Sequence, residues 1–343
     1  MKKNPDGKKN NKIIMYILVS IATLMLIILL AAAGISGYTY YQLNKVNTVK
    51  ISKSDKDLGI KKPAGTEEKS EEIINIALFG VDVGRDKYDV PNSDSIMIAT
   101  LDRKHNKLKL TSIMRDTYVQ ISEYNKTKIN EAYAKGGAPL AIKTLNENFN
   151  LNIRDYVTVN FFGLEKVIDL MGGVTVDVKD YELKEINTWV REVAELQHKE
   201  PVLVEHTGVQ NLTGGQAVAY CRLRHVGNGD FERTDRQRRV LNELFNKVRS
   251  VGVTKYPSIV SEILPEIETS ISKTEILSLG TKVLTSKIDT IEQQRFPLDG
   301  YCKGEIIDEI WYLVLKPDLT ETEKQIHDFI YEDIKPVPKD PLF

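Results

Sequence analysis

Residues 73–114 decide the fold, because three strand-like segments lie close together there: IINIALF at 73–79, SIMIATL at 95–101 and LKLTSIM at 108–114. The first two are almost entirely apolar, and the third alternates partly and carries β-branched residues. The two connections between these segments are short enough to join antiparallel neighbours. The sequence therefore predicts an antiparallel meander within an α/β domain.

Polar residues stand at the ends of these strands. Asp82 follows the first strand, Asp94 precedes the second, and Arg115 follows the third. In a meander these three positions meet at one edge of the sheet. Mg²⁺ prefers one or two protein carboxylates and takes its other ligands from water and phosphate oxygens. We therefore predict Mg²⁺ on Asp82 and Asp94 with a phosphate group on Arg115; the alternative is that the two carboxylates only cap turns.

A second charged cluster lies at 220–239, which reads YCRLRHVGNGDFERTDRQRR and contains six arginines. The neighbours of Arg222 and Arg224 are apolar or aromatic, so this segment is expected to be packed, and buried arginines need partners. Converging guanidinium groups match phosphate oxygens, which predicts a phosphate clamp. Structural ion pairs with Asp116, Asp230 or Glu232 are the alternative.

A helix is expected to begin between Phe231 and Asp235, and this helix would place Arg233 and Gln237 on one face near an N-terminus that favours anions. Three further arginines of the cluster are predicted to lie on an exposed helix face: Arg236, Arg238 and Arg239. Two weaker candidates for anion binding are Arg85 and Lys128, which could equally form a surface ion pair or remain solvated.

Overall charge excludes a long polyanion as the partner. The net charge of the 343 residues is −1, and five lysines fall within the first twelve residues, so the rest of the chain is acidic. A basic cluster in an acidic body indicates a small local anion and no nucleic acid. Two scattered cysteines, five scattered histidines and the lack of GxxxxGK or GxSxG motifs give no sign of a zinc site, a phosphate loop or a covalent nucleophile.

The N-terminal region predicts a membrane anchor. Ile13–Ala33 is uncharged over 21 residues, and a membrane-spanning helix needs about 20. Because lysines are denser before this stretch, we predict a cytoplasmic tail at 1–12, a transmembrane anchor at 13–37 and an extracellular body. A cleaved signal peptide is the alternative, although its apolar region would be shorter. The polar segment 38–72 reads as a flexible stalk.

The rest of the chain is expected to form one domain at 73–332 with an extended tail at 333–343. Predicted helices and strands alternate irregularly along it, and a capping box, Thr213 with Gln216, is expected to start a short helix through Tyr220. The helix that begins between Phe231 and Asp235 is expected to continue through Val248. The other predicted helices are Ala138–Asn148, Gly163–Met171, one within Tyr181–Gln197, Lys273–Thr285 and Thr322–Ile330. The other predicted strands are Tyr156–Asn160, Val174–Val178, Ile291–Pro297 and Ile310–Leu315.

Taken together, the motifs resemble the LytR-CpsA-Psr (LCP) family of Gram-positive cell-wall ligases. The matching segments, in family order, are LFGVDVGR, NSDSIMIATLD, LTSIMRDTYV, KINEAYAKGG, VIDLMGGVTVDV, LTGGQAVAYCRLRH and GDFERTDRQRRVL. Single segments are weak evidence, but the ordered set is specific. Glu232 departs from the pattern, because a small glycine is common at that position.

The resemblance implies an α/β/α domain with a central, mostly antiparallel sheet and a hydrophobic pocket for a polyprenyl chain. It implies a phosphotransferase that moves a glycopolymer, such as wall teichoic acid or capsule, from undecaprenyl diphosphate to peptidoglycan. Carried over by motif, Asp82 and Asp94 would bind Mg²⁺. The residues that would hold the diphosphate are Arg115, Arg222, Arg224, Arg233 and Gln237, with Arg85 and Lys128 as further contributors.

The expected reaction is attack by the C6 hydroxyl of an N-acetylmuramic acid residue on the sugar-proximal phosphorus. Arg115 and Asp82 are the expected catalytic residues, with Asp82 helping to remove the proton. Two alternatives use the same site: a polyprenyl-diphosphate hydrolase, and a membrane-anchored sensor that binds lipid-linked precursors without converting them.

Overall fold

The computed structural model describes residues 47–61, 72–82, 91–251, 256–288 and 290–342. Within these ranges, none of the helices combines the length and the apolar composition that a membrane span requires. The predicted tail at 1–12, the predicted anchor at 13–37 and Arg85 lie outside the described residues.

Strands and helices are numbered here in chain order. The strands are β1 (Asn47–Thr48), β2 (Ile73–Val81), β3 (Ser93–Asp102), β4 (Lys107–Ile113), β5 (Tyr118–Gln120), β6 (Lys126–Lys128), β7 (Asp155–Asn160), β8 (Val174–Val178), β9 (Gly208–Leu212), β10 (Ile267–Thr269), β11 (Ile291–Phe296), β12 (Cys302–Ile307) and β13 (Ile310–Leu315). The helices are α1 (Glu131–Phe149), α2 (Phe161–Leu170), α3 (Leu183–Leu196), α4 (Gly214–Arg222), α5 (Gly229–Val251), α6 (Tyr256–Ile263), α7 (Lys273–Thr285) and α8 (Leu319–Tyr331).

Seven strands form the central sheet, in the order β1-β10-β7-β2-β3-β4-β11. The predicted meander is present, because β2, β3 and β4 are consecutive antiparallel neighbours. The flanking pairs β2–β7 and β4–β11 are parallel. The sheet is therefore mixed, with the expected antiparallel arrangement at its centre. The other strands form three hairpins: β5–β6, β8–β9 and β12–β13.

One face of the sheet is covered completely. Side chains alternate between the two faces of a strand, and the odd-numbered residues of β2 are all buried. The four apolar residues among them belong to a core that α1 and α8 complete, with Ile142 and Ile326 both fully buried. The opposite face carries α5. Arg295 of β11 is paired with Ser112 and points to that face, and the guanidinium of Arg295 lies 4.4 Å from the ring centroid of Phe231 on α5. Helices therefore lie on both faces, as predicted.

That second face is only half-buried along its centre. Ile74, Ile76 and Leu78 of β2 retain solvent exposure, and so does Val157, which is paired with Leu78 on β7. Apolar side chains in the middle of a seven-stranded sheet would ordinarily be fully covered. A row of half-buried apolar side chains therefore follows β2 toward Gly80, near the end of the strand.

The prediction of a flexible stalk at 38–72 is wrong for residues 47–61. β1 pairs with β10, Leu58 is buried in the main core, and its carbonyl accepts a hydrogen bond from Asn146 Nδ2 at 2.8 Å. The stretch is polar, but Leu58 and the partly buried Ile51 and Ile60 provide enough apolar contact for it to dock. The compact unit therefore begins at Asn47 rather than at Ile73.

Most other predicted elements are present, with shifted ends. Three predictions match to the residue, namely the strands Val174–Val178 and Ile310–Leu315 and the helix Lys273–Thr285. α1 begins seven residues earlier than predicted, since it continues through a kink at Gly136 and Gly137, where Gly137 has a φ of 65°. α5 begins at Gly229, before the predicted start.

Candidate active site

Six of the predicted site residues line a single cleft at the end of β2. The cleft has a volume of about 70 Å³. The predicted residues in its wall are Asp82, Asp94, Arg222, Arg224, Arg233 and Gln237. Three further residues complete it: Phe161, Trp189 and Cys221. The structure therefore brings the two predicted clusters, which are more than a hundred residues apart in sequence, to one place.

A β-bulge positions Asp94. Gly80 is paired with Ser95 and Val81 with Ser93, so Asp94 is the extra residue on β3. Bulges turn side chains away from the regular alternation and are frequent beside active sites. Asp82 follows directly after β2, so both carboxylates lie at the same edge of the sheet. Their side chains are 25% and 29% exposed, respectively, and are accessible to a ligand.

Arg115 lies among three carboxylates. Its guanidinium contacts Asp94, and it lies 3.4 Å from both Asp230 and Asp116. Burial lowers the pKa of Arg115, but the three carboxylates outweigh burial and raise it. The side chain is therefore charged at every physiological pH, and these contacts fix its guanidinium beside Asp94.

Arg222 is held between two aromatic rings. Its Cζ lies 4.6 Å from the ring centroid of Phe161 and 4.3 Å from that of Trp189. Planar guanidinium groups stack on aromatic faces, whereas an ammonium cannot match this geometry. The Nη2 atom lies 3.4 Å from a carboxylate oxygen of Asp82. Arg222 ends α4, and Arg224 follows it as an exposed residue in the cleft wall.

Arg233 enters the cleft from the first turns of α5. Its side chain is buried, its Nη2 donates to the backbone carbonyl of Asp94 at 3.2 Å, and its Nε lies 3.2 Å from Asp230. Burial lowers the pKa of Arg233, and the like charge of Arg115 lowers it further. Asp230 contacts both of these guanidinium groups and partly offsets their mutual repulsion.

Gln237 lies one turn further along α5. Its Nε2 donates to the carbonyl of Cys221 at 3.4 Å. Its Oε1 is buried and accepts no hydrogen bond from the described residues. A buried acceptor without a donor costs free energy, so this oxygen is suited to accept a hydrogen bond from a ligand hydroxyl.

The comparisons with known proteins agree with this arrangement. The LytR_cpsA_psr family model matches residues 37–328. The chain belongs to the LytR_cpsA_psr family. It is 33% identical over 286 residues to the polyisoprenyl-teichoic acid–peptidoglycan teichoic acid transferase TagV of Bacillus subtilis (strain 168), covering 80% of this chain and 70% of TagV. It is 31% identical over 309 residues to the transferase TagU of Bacillus cereus, covering 85% of this chain and 92% of TagU.

Solved structures show the same LytR-CpsA-Psr fold. The crystal structure of B. subtilis TagV superimposes with a TM-score of 0.60 at 28% identity, covering 78% of this chain and all of that one. The resemblance predicted from the motif order is therefore confirmed, and with it the mixed α/β domain.

Two weaker sequence predictions have different outcomes. Lys128 lies outside the cleft wall, where its Nζ is 2.7 Å from Asp116, next to the catalytic candidate Arg115. Arg85 lies outside the described residues. Lys128 is therefore a neighbour of the candidate site rather than part of the cleft.

The prediction of an exposed face formed by Arg236, Arg238 and Arg239 is wrong for the first two. Arg236 is fully buried, with its Nε 2.7 Å from Glu182 and its Nη2 2.8 Å from Glu232. Arg238 is also buried, and burial, with Arg295 and Arg239 nearby, lowers its pKa to about 10. A buried guanidinium requires paired carboxylates, and Glu182, fully buried just before α3, supplies one. Arg236 is thus a structural residue.

Sequence reasoning missed two residues of the site, Phe161 and Trp189, and named Asp230 only as a structural ion-pair partner of Arg222 and Arg224. Asp230 lies between Arg115 and Arg233, and these arginines, with Arg224, outweigh burial and lower its pKa. Its position three residues before Arg233 in the first turn of α5 was the available signal. Phe161 and Trp189 lie on separate helices, and nothing in the sequence indicates that their rings meet around one arginine.

The donor set fits Mg²⁺ at Asp82 and Asp94. Both carboxylates are accessible in one cleft, and carboxylate oxygens are the hard ligands that Mg²⁺ prefers. Within the described ranges, one group of three potential metal ligands lies close together elsewhere, namely Asp102, His105 and Asp333. Asp102 of that group is fully buried and lies 2.7 Å from the buried Lys109, so the group is less accessible to a metal ion than Asp82 and Asp94 are.

Proposed function

We propose that this protein transfers a glycopolymer from a polyprenyl-diphosphate carrier to peptidoglycan and joins it there through a phosphodiester. The relatives with more than 30% identity are named as polyisoprenyl-teichoic acid–peptidoglycan teichoic acid transferases. The proposal extends their reaction class to this chain; wall teichoic acid or a capsule polymer would be the glycan donated.

The observation that carries the proposal is the position of the arginine cleft at the end of a half-buried apolar surface. A polyprenyl diphosphate has an apolar chain on one side and a dianionic or more highly charged head on the other. The half-buried side chains of β2 suit the chain, because exposed apolar patches of this kind mark binding sites. The guanidinium groups of Arg222 and Arg233 suit the diphosphate.

The chemistry would proceed by displacement at phosphorus. The C6 hydroxyl oxygen of an N-acetylmuramic acid residue forms a bond to the sugar-proximal phosphorus. The bond from this phosphorus to the oxygen that bridges the two phosphates breaks, and undecaprenyl phosphate leaves with the electron pair. Mg²⁺ bound to Asp82 and Asp94 would supply charge neutralisation of the diphosphate.

The protein's own residues would orient the groups and stabilise charge. Arg115, fixed by three carboxylates, faces the side of the cleft where Asp94 lies, and Arg222 faces Asp82. Preorganised donors of this kind stabilise the charge that develops on phosphoryl oxygens without reorganisation. Asp82 is the carboxylate proposed to accept the hydroxyl proton, although binding to a metal ion would reduce its basicity.

The proposed location follows from the sequence. The segment 13–37 would anchor the chain in the membrane as a single span, with residues 1–12 in the cytoplasm and the domain outside. This topology would place the cleft on the side of the membrane where peptidoglycan and lipid-linked glycans meet.

The test is transfer by the purified full chain. It is incubated with a lipid-diphosphate-linked labelled saccharide, Mg²⁺ and peptidoglycan oligomers, and the glycan strands are analysed by mass spectrometry. The proposal predicts saccharide joined to the strands through a phosphodiester, and loss of this product in Asp82→Ala. Binding of the lipid donor without any product would instead indicate a sensor.

A further inference from the structure

An aromatic surface lies next to the candidate active site, outside the cleft. It is formed by Trp311 of β13 and by Ile306, its cross-strand partner on β12. Tyr312 points to the opposite face of β13, where it is buried and packs against Tyr118 with ring centroids 4.6 Å apart and ring planes tilted by 52°. Trp311 remains 43% exposed, although a large aromatic side chain contributes most when it is covered. We call Trp311 and Ile306 the aromatic platform.

Backbone contacts fix the platform to the segment that carries Arg115. The N–H of Leu313 donates to the carbonyl of Asp116 at 2.9 Å, and Leu313 also bridges to Thr117. Asp116 in turn lies 3.4 Å from Arg115. These contacts fix the position of the platform relative to Arg115, a residue of the proposed reaction centre.

Trp311 is also fixed in orientation. Its ring lies across Gly304 on the neighbouring strand β12, and a Cβ at Gly304 would meet Trp311 Nε1 at 2.8 Å. The glycine thus leaves room for the indole to lie against the hairpin. Ile306, the cross-strand partner of Trp311, is 74% exposed and extends the apolar surface. A flat, rigid aromatic ring open to solvent is suited to stacking.

Lys128 lies at the border between the platform and the cleft. Its Nζ is 6.0 Å from the ring centroids of both Trp311 and Tyr312, and 2.7 Å from Asp116. Polar and charged groups beside a flat aromatic face are typical of sites that hold an amphipathic ring. The C–H bonds on one face of a pyranose match the negative face of an indole, while its hydroxyl and acetamido groups can bind the polar border.

We infer that the aromatic platform binds the acceptor strand, an oligosaccharide of N-acetylhexosamines, and holds it so that one of its hydroxyl groups reaches the cleft. This inference rests on the proposed function, because it assigns the acceptor to that same site. The acidic residues at the turn of the hairpin, Asp308 and Glu309, favour a saccharide over an anionic membrane surface, because such a surface attracts basic segments.

Kinetics of the full chain test the inference. Initial rates of transfer are measured against the concentration of the acceptor, an oligosaccharide of alternating N-acetylglucosamine and N-acetylmuramic acid without attached peptides. We expect Trp311→Ala to raise KM for this acceptor roughly tenfold, with the donor KM and kcat unchanged. Trp311→Phe should restore most of the acceptor affinity. Ile310→Ala is the matched control, because Ile310 is an exposed apolar residue on the opposite face of the same hairpin.

An unchanged acceptor KM in Trp311→Ala would overturn the inference. So would equal losses in Trp311→Ala and Ile310→Ala accompanied by loss of binding to phosphatidylglycerol vesicles, which would indicate that the hairpin contacts the membrane. A binding measurement separates this inference from the proposed function. The chain has two tryptophans, so Trp189→Phe leaves Trp311 as the only indole. Its fluorescence should change on addition of the oligosaccharide even if the protein forms no product.

Discussion

The guanidinium of Arg222 stacks on the indole of Trp189, with its Cζ 4.3 Å from the ring centroid. The stack orients the charge of Arg222 toward Asp82, and it requires a planar cation. Arg222→Lys keeps the charge and loses the plane. We expect kcat/KM for the lipid donor to fall by about a hundredfold, measured as initial rates of transfer. Arg239→Lys, at an exposed position of α5, is the control and should retain normal rates.

Arg115 is predicted to be essential for catalysis and dispensable for folding. Arg115→Ala removes the guanidinium that lies beside Asp94, so transfer should fall by at least about two orders of magnitude. Circular dichroism and thermal unfolding should show a folded domain, since this side chain remains partly exposed. Normal transfer by Arg115→Ala would exclude the proposed role of this residue.

Metal binding by the two aspartates can be measured without turnover. Mn²⁺ serves as a paramagnetic probe for the Mg²⁺ site, and its affinity is obtained by electron paramagnetic resonance. We expect Asp82→Asn and Asp94→Asn each to lower the affinity by more than about tenfold, because each removes one of two charged ligands. Asp116→Asn, which changes a neighbouring carboxylate outside the cleft wall, should bind Mn²⁺ normally. Equal affinity in all of these variants would argue against the predicted site.

The charge of Asp230 should make stability depend on pH. Burial raises the pKa of Asp230, but Arg233, Arg115 and Arg224 outweigh it, so the pKa in the folded state is below the ordinary value. The resulting stabilisation is present above the unfolded pKa of about 3.9 and is lost as the pH falls through the lower, folded value. Asp230→Asn should therefore unfold at lower urea concentration than the wild type at pH 7.

The difference between the two proteins should shrink when the same unfolding curves are measured near pH 3. Asp235→Asn, which changes a more exposed carboxylate of α5, controls for the loss of a surface charge. A difference that stays constant between the two pH values would show that the carboxylate of Asp230 is not ionised preferentially in the folded state.

The ion pair of Arg236 and Glu182 should be important for stability, since both side chains are fully buried. Glu182→Ala leaves the buried guanidinium without its main partner, and we expect the free energy of unfolding to fall by about 3–5 kcal/mol. Replacing both residues, as Glu182→Ala with Arg236→Met, should restore part of this loss. Lys166→Ala, at an exposed pair with Glu266, should leave urea unfolding unchanged.

Much of the site could be predicted because it depends on strand order. The apolar runs of β2, β3 and β4 identify a meander, and a meander brings Asp82, Asp94 and Arg115 to one edge without any knowledge of the helices. The arginines at 222 and 233 could be placed beside them only by resemblance to the family, because helix packing brings α4 and α5 to that edge.

Residues whose role depends on tertiary packing could not be predicted. Phe161 and Trp189 contribute because α2 and α3 both pack against α4, and this packing has no local signature in the sequence. The sequence predicts Arg236 at the surface, because the residue that compensates its charge is not nearby in the chain. That residue is Glu182, which lies 54 positions earlier. The docking of residues 47–61 depends on a few apolar side chains within a polar stretch, whose composition alone indicated a stalk.

The most direct test of the proposed transferase compares two products in one reaction. Undecaprenyl phosphate released and saccharide joined to peptidoglycan are measured together while the acceptor concentration is varied. A transferase releases one lipid phosphate for each saccharide joined, and both rates rise together with acceptor. Release of lipid phosphate at a rate independent of the acceptor, with no saccharide joined, would contradict the account and identify a polyprenyl-diphosphate hydrolase.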